Sequence, residues 1–237
     1  MRFALALFAS LATTPLLADH HAELQPLFDG ESLDGWVQRG GDAIYTVAPL
    51  AVGGPQVVGT SVSNTPNSFL CTDRDYSDFI LEFEVKVHPL LNSGVQFRSE
   101  CYEEETERTV TNKAGKQVTK TFPAGRVHGY QCEIDPSDRA WSAGVYDEGR
   151  RGWLYNLEGD QHAAARAAFD RTGWNHYRIE AIGDSIKTFI NGVPAADFTD
   201  TVTSEGFIAL QVHSIGSKEQ AGKQIRWRNI RIKEVNE

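Results

Sequence analysis

Phe79-Ile80-Leu81-Glu82-Phe83-Glu84-Val85-Lys86-Val87 carries apolar residues at every second position, with charge filling most of the gaps. Successive side chains of an extended chain point to opposite sides. Phe79, Leu81, Phe83, Val85 and Val87 therefore make one continuous apolar face, whereas a helical winding would scatter them around its circumference. The segment is predicted to be a strand with one face in a core and the other outside it.

The same period of two recurs outward from this segment. It appears in Val95-Gln96-Phe97-Arg98, Tyr130-Gln131-Cys132-Glu133-Ile134-Asp135, Tyr177-Arg178-Ile179-Glu180-Ala181 and Ile208-Ala209-Leu210-Gln211-Val212-His213, and it runs from Ile225 to Ile232 apart from Asn229. Asn191-Gly192, between Ile186–Ile190 and Val193, is the dipeptide that supplies the two positive φ angles of a type I′ hairpin. Only Asp160 to Phe169, with its run of alanines, has helical composition, enough for a turn or two at the surface. Many short strands with frequent turns predict an all-β, two-sheet antiparallel sandwich of jelly-roll type. Residues 102 to 124, rich in Glu, Thr and Lys, read as a solvated hairpin inserted outside the core. Trp36, Trp174 and Trp227 are expected inside it.

The chain has 237 residues and a formal net charge of −9. Residues 1–18 have the form of a secretory leader: Arg2, an apolar run from Phe3 to Leu17, and small Ala18 before polar Asp19-His20-His21. Export to the periplasm or beyond is the expectation. The run is too short and too interrupted to span a bilayer, and no membrane span is expected elsewhere. Residues 19–237 carry no Pro/Ser-rich linker and are expected to form one domain. Their acidic balance repels phosphate backbones, so nucleic acid is not an expected partner. Cys71, Cys101 and Cys132 are too few for a disulfide scaffold. A single Cys101–Cys132 bridge and three inert buried thiols are both compatible with the sequence.

Function is sought on the faces that alternation turns away from the core. Gln131, Glu133 and Asp135 share one such face; Gln96, Arg98 and Glu100 share another, as do Gln211 and His213, and Glu82 and Glu84. These are either ordinary solvated residues of an antiparallel sheet or, if the strands are neighbours, a surface of acids, bases and amides. Gln-x-Glu-x-Asp and Gln-x-His lack the Thr, Lys and Ser of a bland outer face, which favours the second reading. A further cluster spans Trp141 to Trp153 and includes Tyr146, Arg150 and Arg151. Indole and phenol faces stack on sugar rings and guanidinium forks bond sugar oxygens, so Tyr146, Arg150, Arg151 and Trp153 are candidate substrate-binding residues with Gln96, Gln131, Gln211 and Glu84; a buried Trp pair with a surface Arg-Glu network is the other reading of this cluster. No Gly-x-Ser-x-Gly, Walker loop, His-Glu-x-x-His or Cys-x-x-Cys occurs, which removes the signatures of serine hydrolases, nucleotide enzymes and zinc proteases.

Phe28-Asp29-Gly30-Glu31-Ser32-Leu33-Asp34-Gly35-Trp36, Phe69-Leu70-Cys71-Thr72, Asn92-Ser93-Gly94-Val95-Gln96-Phe97-Arg98, Gly129-Tyr130-Gln131-Cys132-Glu133-Ile134-Asp135, Trp174-Asn175, Asn191-Gly192 and Trp227-Arg228-Asn229-Ile230 resemble, in this order, the landmarks of the 3-keto-disaccharide hydrolase family. The resemblance implies a concanavalin-like jelly roll, export, and cleavage of an oxidised disaccharide or glycoside with a ketone at C3, by hydrolysis or by elimination at C1 and C2. Such chemistry needs a base for the C2 proton, a group to stabilise the enolate, and an acid for the leaving group. Glu133 and His213 are the candidate bases. Arg98, or a divalent cation held by Glu133, Asp135 and His213, is the candidate enolate stabiliser, and Tyr146 or the second member of the base pair would serve the leaving group.

Two other readings stay open. Glu133-Ile134-Asp135 also resembles the acidic core of laminarinase-type glucanases. Pro136 ends the strand early, however, and same-face neighbours on a strand lie roughly 6.8 Å apart, against about 5 to 5.5 Å for a retaining pair. A carbohydrate-binding module would need only aromatic platforms, and convergence of the ionisable groups in one cleft is what separates it from an enzyme.

Overall fold

A computed structural model of the chain describes residues 24–49 and 51–235; the leader expected at residues 1–18, like Asp19-His20-His21, lies outside the described residues. In chain order the elements are β1 Gln25–Pro26, β2 Trp36–Gly40, β3 Ile44–Ala48, β4 Gln56–Thr60, β5 Ser68–Thr72, β6 Phe79–Val87, β7 Ser93–Cys101, β8 Thr106–Thr111, β9 Gln117–Phe122, β10 Val127–Ile134, β11 Val145–Glu148, β12 Gly152–Tyr155, α1 Ala163–Ala168, β13 Asn175–Ile182, β14 Ser185–Ile190, β15 Val193–Thr199, β16 Phe207–Val212 and β17 Gln224–Glu234. They form two antiparallel sheets. One runs β15-β14-β13-β6-β17-β4-β3, with β1 added to β17; the other runs β12-β11-β10-β7-β16-β5-β2, and β8 and β9 pair only with each other.

The alternation read from the sequence builds the core between these sheets. Leu81, Phe83 and Val85 of β6 face inward with Tyr177 and Ile179 of β13 and Trp227 of β17, against Val95, Phe97, Tyr130, Cys132, Ile134, Ile208 and Leu210 of the opposite sheet. Phe83 stacks on Tyr177 with centroids 5.1 Å apart, and Phe97 on Tyr130 at 5.4 Å. Such offset aromatic pairs add about 0.5–1.5 kcal/mol each beyond the area they bury. Asn191 and Gly192 take φ of 48° and 80° between paired Ile190 and Val193, as a type I′ turn requires. The interruption at Asn229 is a β-bulge: its φ is 51°, and the β17–β6 register shifts between Arg228 and Arg231.

The expectation for two of the tryptophans needs correction, and the hairpin and the cysteines are resolved in detail. Trp227 is core, but Trp36 is only partly buried at its margin, and Trp174 lies half-buried under the Arg228 guanidinium, 4.1 Å from its ring centroid. The hairpin β8–β9 is exposed along most of its length, yet Val110 and Phe122 are buried. The cysteines are free thiols: Cys132 faces the core opposite Val95, whereas Cys101 pairs with Val127 at the other end of β10, so no Cys101–Cys132 bridge exists.

The two sheets differ on their outer faces. Along β13, buried and half-exposed residues alternate almost to its end, as expected for a sheet with one solvated side; β10 and β16 are buried at every position. The central strands of the second sheet are therefore covered on both faces, whereas β2 and β12 at its edges are not, and the polar residues on the outer face of those central strands must be satisfied inside the protein.

Candidate active site

Alternation along β10 turns Gln131 and Glu133 to the outer face, and antiparallel pairing sets Gln131 opposite Gln96 and Glu133 opposite Gly94 of β7. A Cβ at Gly94 would stand 2.5 Å from Cγ and Cδ of Gln131. Glycine there leaves the space in which the Gln131 side chain lies. The Gln131 carbonyl accepts hydrogen bonds from Nε2 of Gln96 at 2.7 Å and from Nε2 of Gln211 at 2.8 Å, while Ser99 Oγ donates to Gln96 at 2.8 Å. Gln131 Nε2 then donates to Glu133 Oε2 at 2.9 Å. All four side chains are buried, and the chain of donors ends on the carboxylate.

Glu133 Oε1 accepts from Asn92 Nδ2 at 2.8 Å and from Arg139 Nη2 at 3.1 Å. Desolvation raises its pKa above the ordinary carboxylate value and outweighs the opposing pull of Asn92, Gln131 and Arg139. It is thus a carboxylate with raised proton affinity, held in one orientation by three donors.

Arg139 follows β10 in a loop closed by Asp135. Its Nε donates to Asp135 Oδ2 at 2.7 Å, and Ser137 N and Trp141 N bond the same carboxylate at 3.1 and 3.3 Å. Burial works against the charge on Asp135, but the hydrogen bonds from Ser137 and Arg139 prevail and lower its pKa. The Arg139 guanidinium lies 4.9 Å from the Trp141 ring centroid and 5.0 Å from that of Trp153, a cation–π seat between two indoles. Its Nη1 makes no hydrogen bond among the described residues.

His213, just past the end of β16, places Nδ1 2.7 Å from the Ser214 carbonyl. A carbonyl only accepts, so Nδ1 carries the proton and Nε2 of the neutral ring is left as an acceptor. Asn67 holds this corner by accepting from Ser214 N at 2.9 Å. Tyr146 faces Gln131 across the β10–β11 pair and meets Trp153 edge-to-face at 5.3 Å. Burial, then the charges of Glu148 and Glu133, push its hydroxyl above the usual phenol value, so it stays protonated. Glu148 is raised by burial although Arg126 and His213 oppose this.

Glu133, Arg139, His213, Tyr146, Glu148 and Trp153 line one cleft of about 550 Å³, with Asn67, Asn92 and Gln131 completing its wall. It presents a proton acceptor, a cation, a phenol donor and an indole edge to a single ligand-sized space. Arg139, Asn67, Asn92 and Glu148 were not among the candidate site residues read from the sequence, although Asn92 opens one of the family landmarks. Arg139 stands three residues beyond Pro136, where the strand pattern has stopped; Glu148 lay within the Trp141–Trp153 cluster but carried no pattern of its own.

Several sequence candidates are placed elsewhere. Gln96 and Gln211 lie behind Gln131, supporting it without lining the cleft. Arg98 sits at a β-bulge with φ 44°, which breaks the alternation and turns it away from Gln96. Its guanidinium bonds Ser77 O at 2.7 Å, Gly183 O at 2.8 Å and Asp78 Oδ1 at 2.8 Å, clamping β7 to turns of the other sheet. Asp135 braces Arg139 instead of facing the cleft. Arg150 and Arg151 are tied to Asp147, and Arg151 also to Asp200, in the wall of a neighbouring cavity. Glu84 belongs to the other sheet and pairs with Arg228, while Glu82 pairs with Arg178. Among the described residues no group of three His, Cys, Asp or Glu side chains is placed to hold a metal ion, so the Glu133, Asp135 and His213 set does not fit a divalent cation.

The family described as the 3-keto-alpha-glucoside-1,2-lyase-like domain, the 3-keto-disaccharide hydrolase family of the sequence resemblance, matches residues 23–233. No curated protein matches the chain. Among solved structures, a putative glycosyl hydrolase from Parabacteroides distasonis ATCC 8503 is 15% identical, with 91% of this chain and 95% of that chain covered and a TM-score of 0.53. The carbohydrate binding module CBM66 from Bacillus subtilis is 19% identical over 83% of this chain and 93% of its own, with a TM-score of 0.51. A Bacillus subtilis protein of unknown function with a galectin-like fold is 10% identical, covers 84% and 89%, and has a TM-score of 0.50. At these identities the likeness is one of fold, and it bears out the concanavalin-like sandwich.

Proposed function

We propose that this chain, which belongs to the 3-keto-alpha-glucoside-1,2-lyase-like domain family and is a carbohydrate-active enzyme of the 3-keto-glycoside class, cleaves a glycoside oxidised at C3 by elimination across C1 and C2. The observation that carries the reading is Glu133: a carboxylate of raised proton affinity, oriented by Asn92, Gln131 and Arg139 in the wall of a cleft of about 550 Å³.

A ketone at C3 acidifies the C2 proton. Glu133 takes that proton, and the electron pair passes into an enolate whose oxygen is met by the Arg139 guanidinium. The enolate collapses to re-form the C3 ketone with a C1–C2 double bond, and the C1–O bond breaks with its electrons on the aglycone oxygen. Tyr146, kept protonated, donates to that oxygen. Water then adds its hydroxyl to C1 and a proton to C2; His213, with Nε2 free to accept, is suited to activating the water. Export, carried by the composition of residues 1–18, would place this activity outside the cytoplasm.

A conventional two-carboxylate mechanism is less well supported. Asp135 is bound to Arg139 and two backbone amides. Glu148 sits opposite Gly129, four residues along β10 from Glu133 and thus about 13 Å away at the backbone, and its carboxylate accepts from Arg126.

The deciding experiment is cleavage of matched native and 3-keto-α-glucosides in deuterated water. Elimination predicts cleavage of the oxidised substrate alone, with deuterium entering C2. Equal cleavage of both, or a C2 that stays fully protonated in the product, would end this reading.

A further inference from the structure

The hairpin β8–β9 brings Lys113 and Lys120 to a cavity of about 450 Å³ that Arg150 and Arg151 also line, and whose wall contains no Asp or Glu. Behind that wall two carboxylates serve these four cations. Asp147 accepts from Nε of both arginines, and Asp200 accepts from both terminal nitrogens of Arg151 and from the Tyr130 hydroxyl. Among the described residues Lys120 donates to the Arg150 carbonyl alone, which cancels no charge. Arg150 is 9% exposed, and its Nη2 is buried with no hydrogen-bond partner among the described residues. In a chain of net charge −9, four cations against these two carboxylates are a local excess of positive charge, carried by the two lysines.

The cavity adjoins the cleft at Gly152. A Cβ placed there would lie 3.6 Å from Cε2 of Tyr146 and 3.9 Å from both the Tyr146 hydroxyl and Nζ of Lys113. Gly152, with φ of 72°, leaves this saddle open. A leaving group that touches the Tyr146 hydroxyl on one side therefore has the basic cavity on the other.

We propose that the space between the β8–β9 hairpin and the Arg150–Gly152 turn is the leaving-group subsite and that it selects an aglycone bearing a carboxylate or another anionic group. Placing the aglycone there rests on the elimination reading, in which Tyr146 serves the departing oxygen. A volume of this order holds an aromatic acid or a uronic acid residue. Complementary charge at a rim of this kind governs selectivity and salt dependence more than raw affinity.

Two measurements test this, and the first needs no turnover. Binding of 4-hydroxybenzoate, 4-hydroxybenzenesulfonate and neutral 4-hydroxybenzamide is compared by ligand-observed NMR on the wild type and on Lys113→Glu. Each anion should bind at least about fivefold more tightly than the amide to the wild type, as for one well-placed ion pair. That preference should shrink with added salt and vanish or invert in Lys113→Glu. A wild type that does not distinguish anion from amide, or a preference that survives charge reversal, overturns the proposal. The second measurement compares kcat/KM for the 3-keto-α-glucosides of the same phenols, whose anion-to-neutral ratio should follow the binding ratio. If the binding preference holds while only unoxidised glycosides are cleaved, the elimination chemistry fails and the anion subsite stands.

Discussion

Nη2 of Arg139 stands 3.1 Å from Oε1 of Glu133, although the two residues belong to different kinds of structure, a loop and a strand. Asp135 makes this possible by taking Nε of the same guanidinium at 2.7 Å, and the rings of Trp141 and Trp153 hold it in place. Arg139→Met should lower kcat by about 10²- to 10³-fold if the guanidinium meets the enolate, the cost of losing one preorganised oxyanion donor, with a smaller effect on KM. Arg139→Lys should recover little, since an ammonium cannot bond Asp135 and Glu133 as a planar fork while lying against indoles. A loss in KM alone would make Arg139 a binding residue.

The raised pKa of Glu133 fixes the sign of two pH effects. As the base it must be ionised, so the acidic limb of kcat/KM should lie above the ordinary value of 4.5, and Arg139→Met should move it higher because Arg139 lowers that pKa. Stability runs the other way. The folded state holds the Glu133 proton more tightly than the unfolded chain does, so this residue's contribution to stability declines as pH rises from 4.5 through the folded pKa. Glu133→Gln should cut turnover by roughly 10²-fold or more, and its melting temperature relative to wild type should climb over the same pH interval. A difference that stays flat with pH would contradict the shift.

Legibility in the sequence followed physical periodicity. The core face of β6 was visible because Phe79 to Val87 alternate without interruption, and Asn229 showed as a break where a bulge stands. Alternation cannot tell which polar face is solvated, however. Glu84 and Glu133 occupy equivalent phases of two strands, yet one pairs with Arg228 on an outer surface and the other ends a buried chain of amides. Arg98 was misplaced for a different reason: a residue in a left-handed bulge turns its side chain off the strand phase, and nothing in Phe97-Arg98-Ser99 signals it. Arg139 lies in a loop, where no period exists to be read.

Arg98 consequently carries a structural prediction. It is almost fully buried and bonded to two carbonyls and Asp78, so Arg98→Met leaves those acceptors without their donor. Destabilisation of about 3 to 5 kcal/mol is expected in urea unfolding, as for breaking a buried charge pair. The kcat/KM of the remaining folded enzyme should match wild type. A stable variant with lost turnover would return Arg98 to the chemistry.

Gly94 tests whether the amide chain acts as a unit. Its φ lies outside the left-handed region, so alanine is acceptable to the backbone, and the three nearest atoms to the new methyl, at 2.5 to 2.8 Å, all belong to the Gln131 side chain. Gly94→Ala should displace that side chain, leaving the Gln96 and Gln211 amides without their shared acceptor and Glu133 Oε2 without its donor. Unsatisfied buried groups cost about 1–3 kcal/mol each. The variant should therefore lose at least that much stability and shift the acidic limb of kcat/KM upward, because Gln131 is one of the groups lowering the Glu133 pKa. Gln131→Ala alone should do the same. In the double variant Gly94→Ala/Gln131→Ala the three atoms nearest the new methyl are gone, so the combined loss should approach that of Gln131→Ala and fall well short of the sum. This is the coupling expected of residues in direct contact, measured by a double-mutant cycle. If the two losses add, the glycine is not there to make room for Gln131.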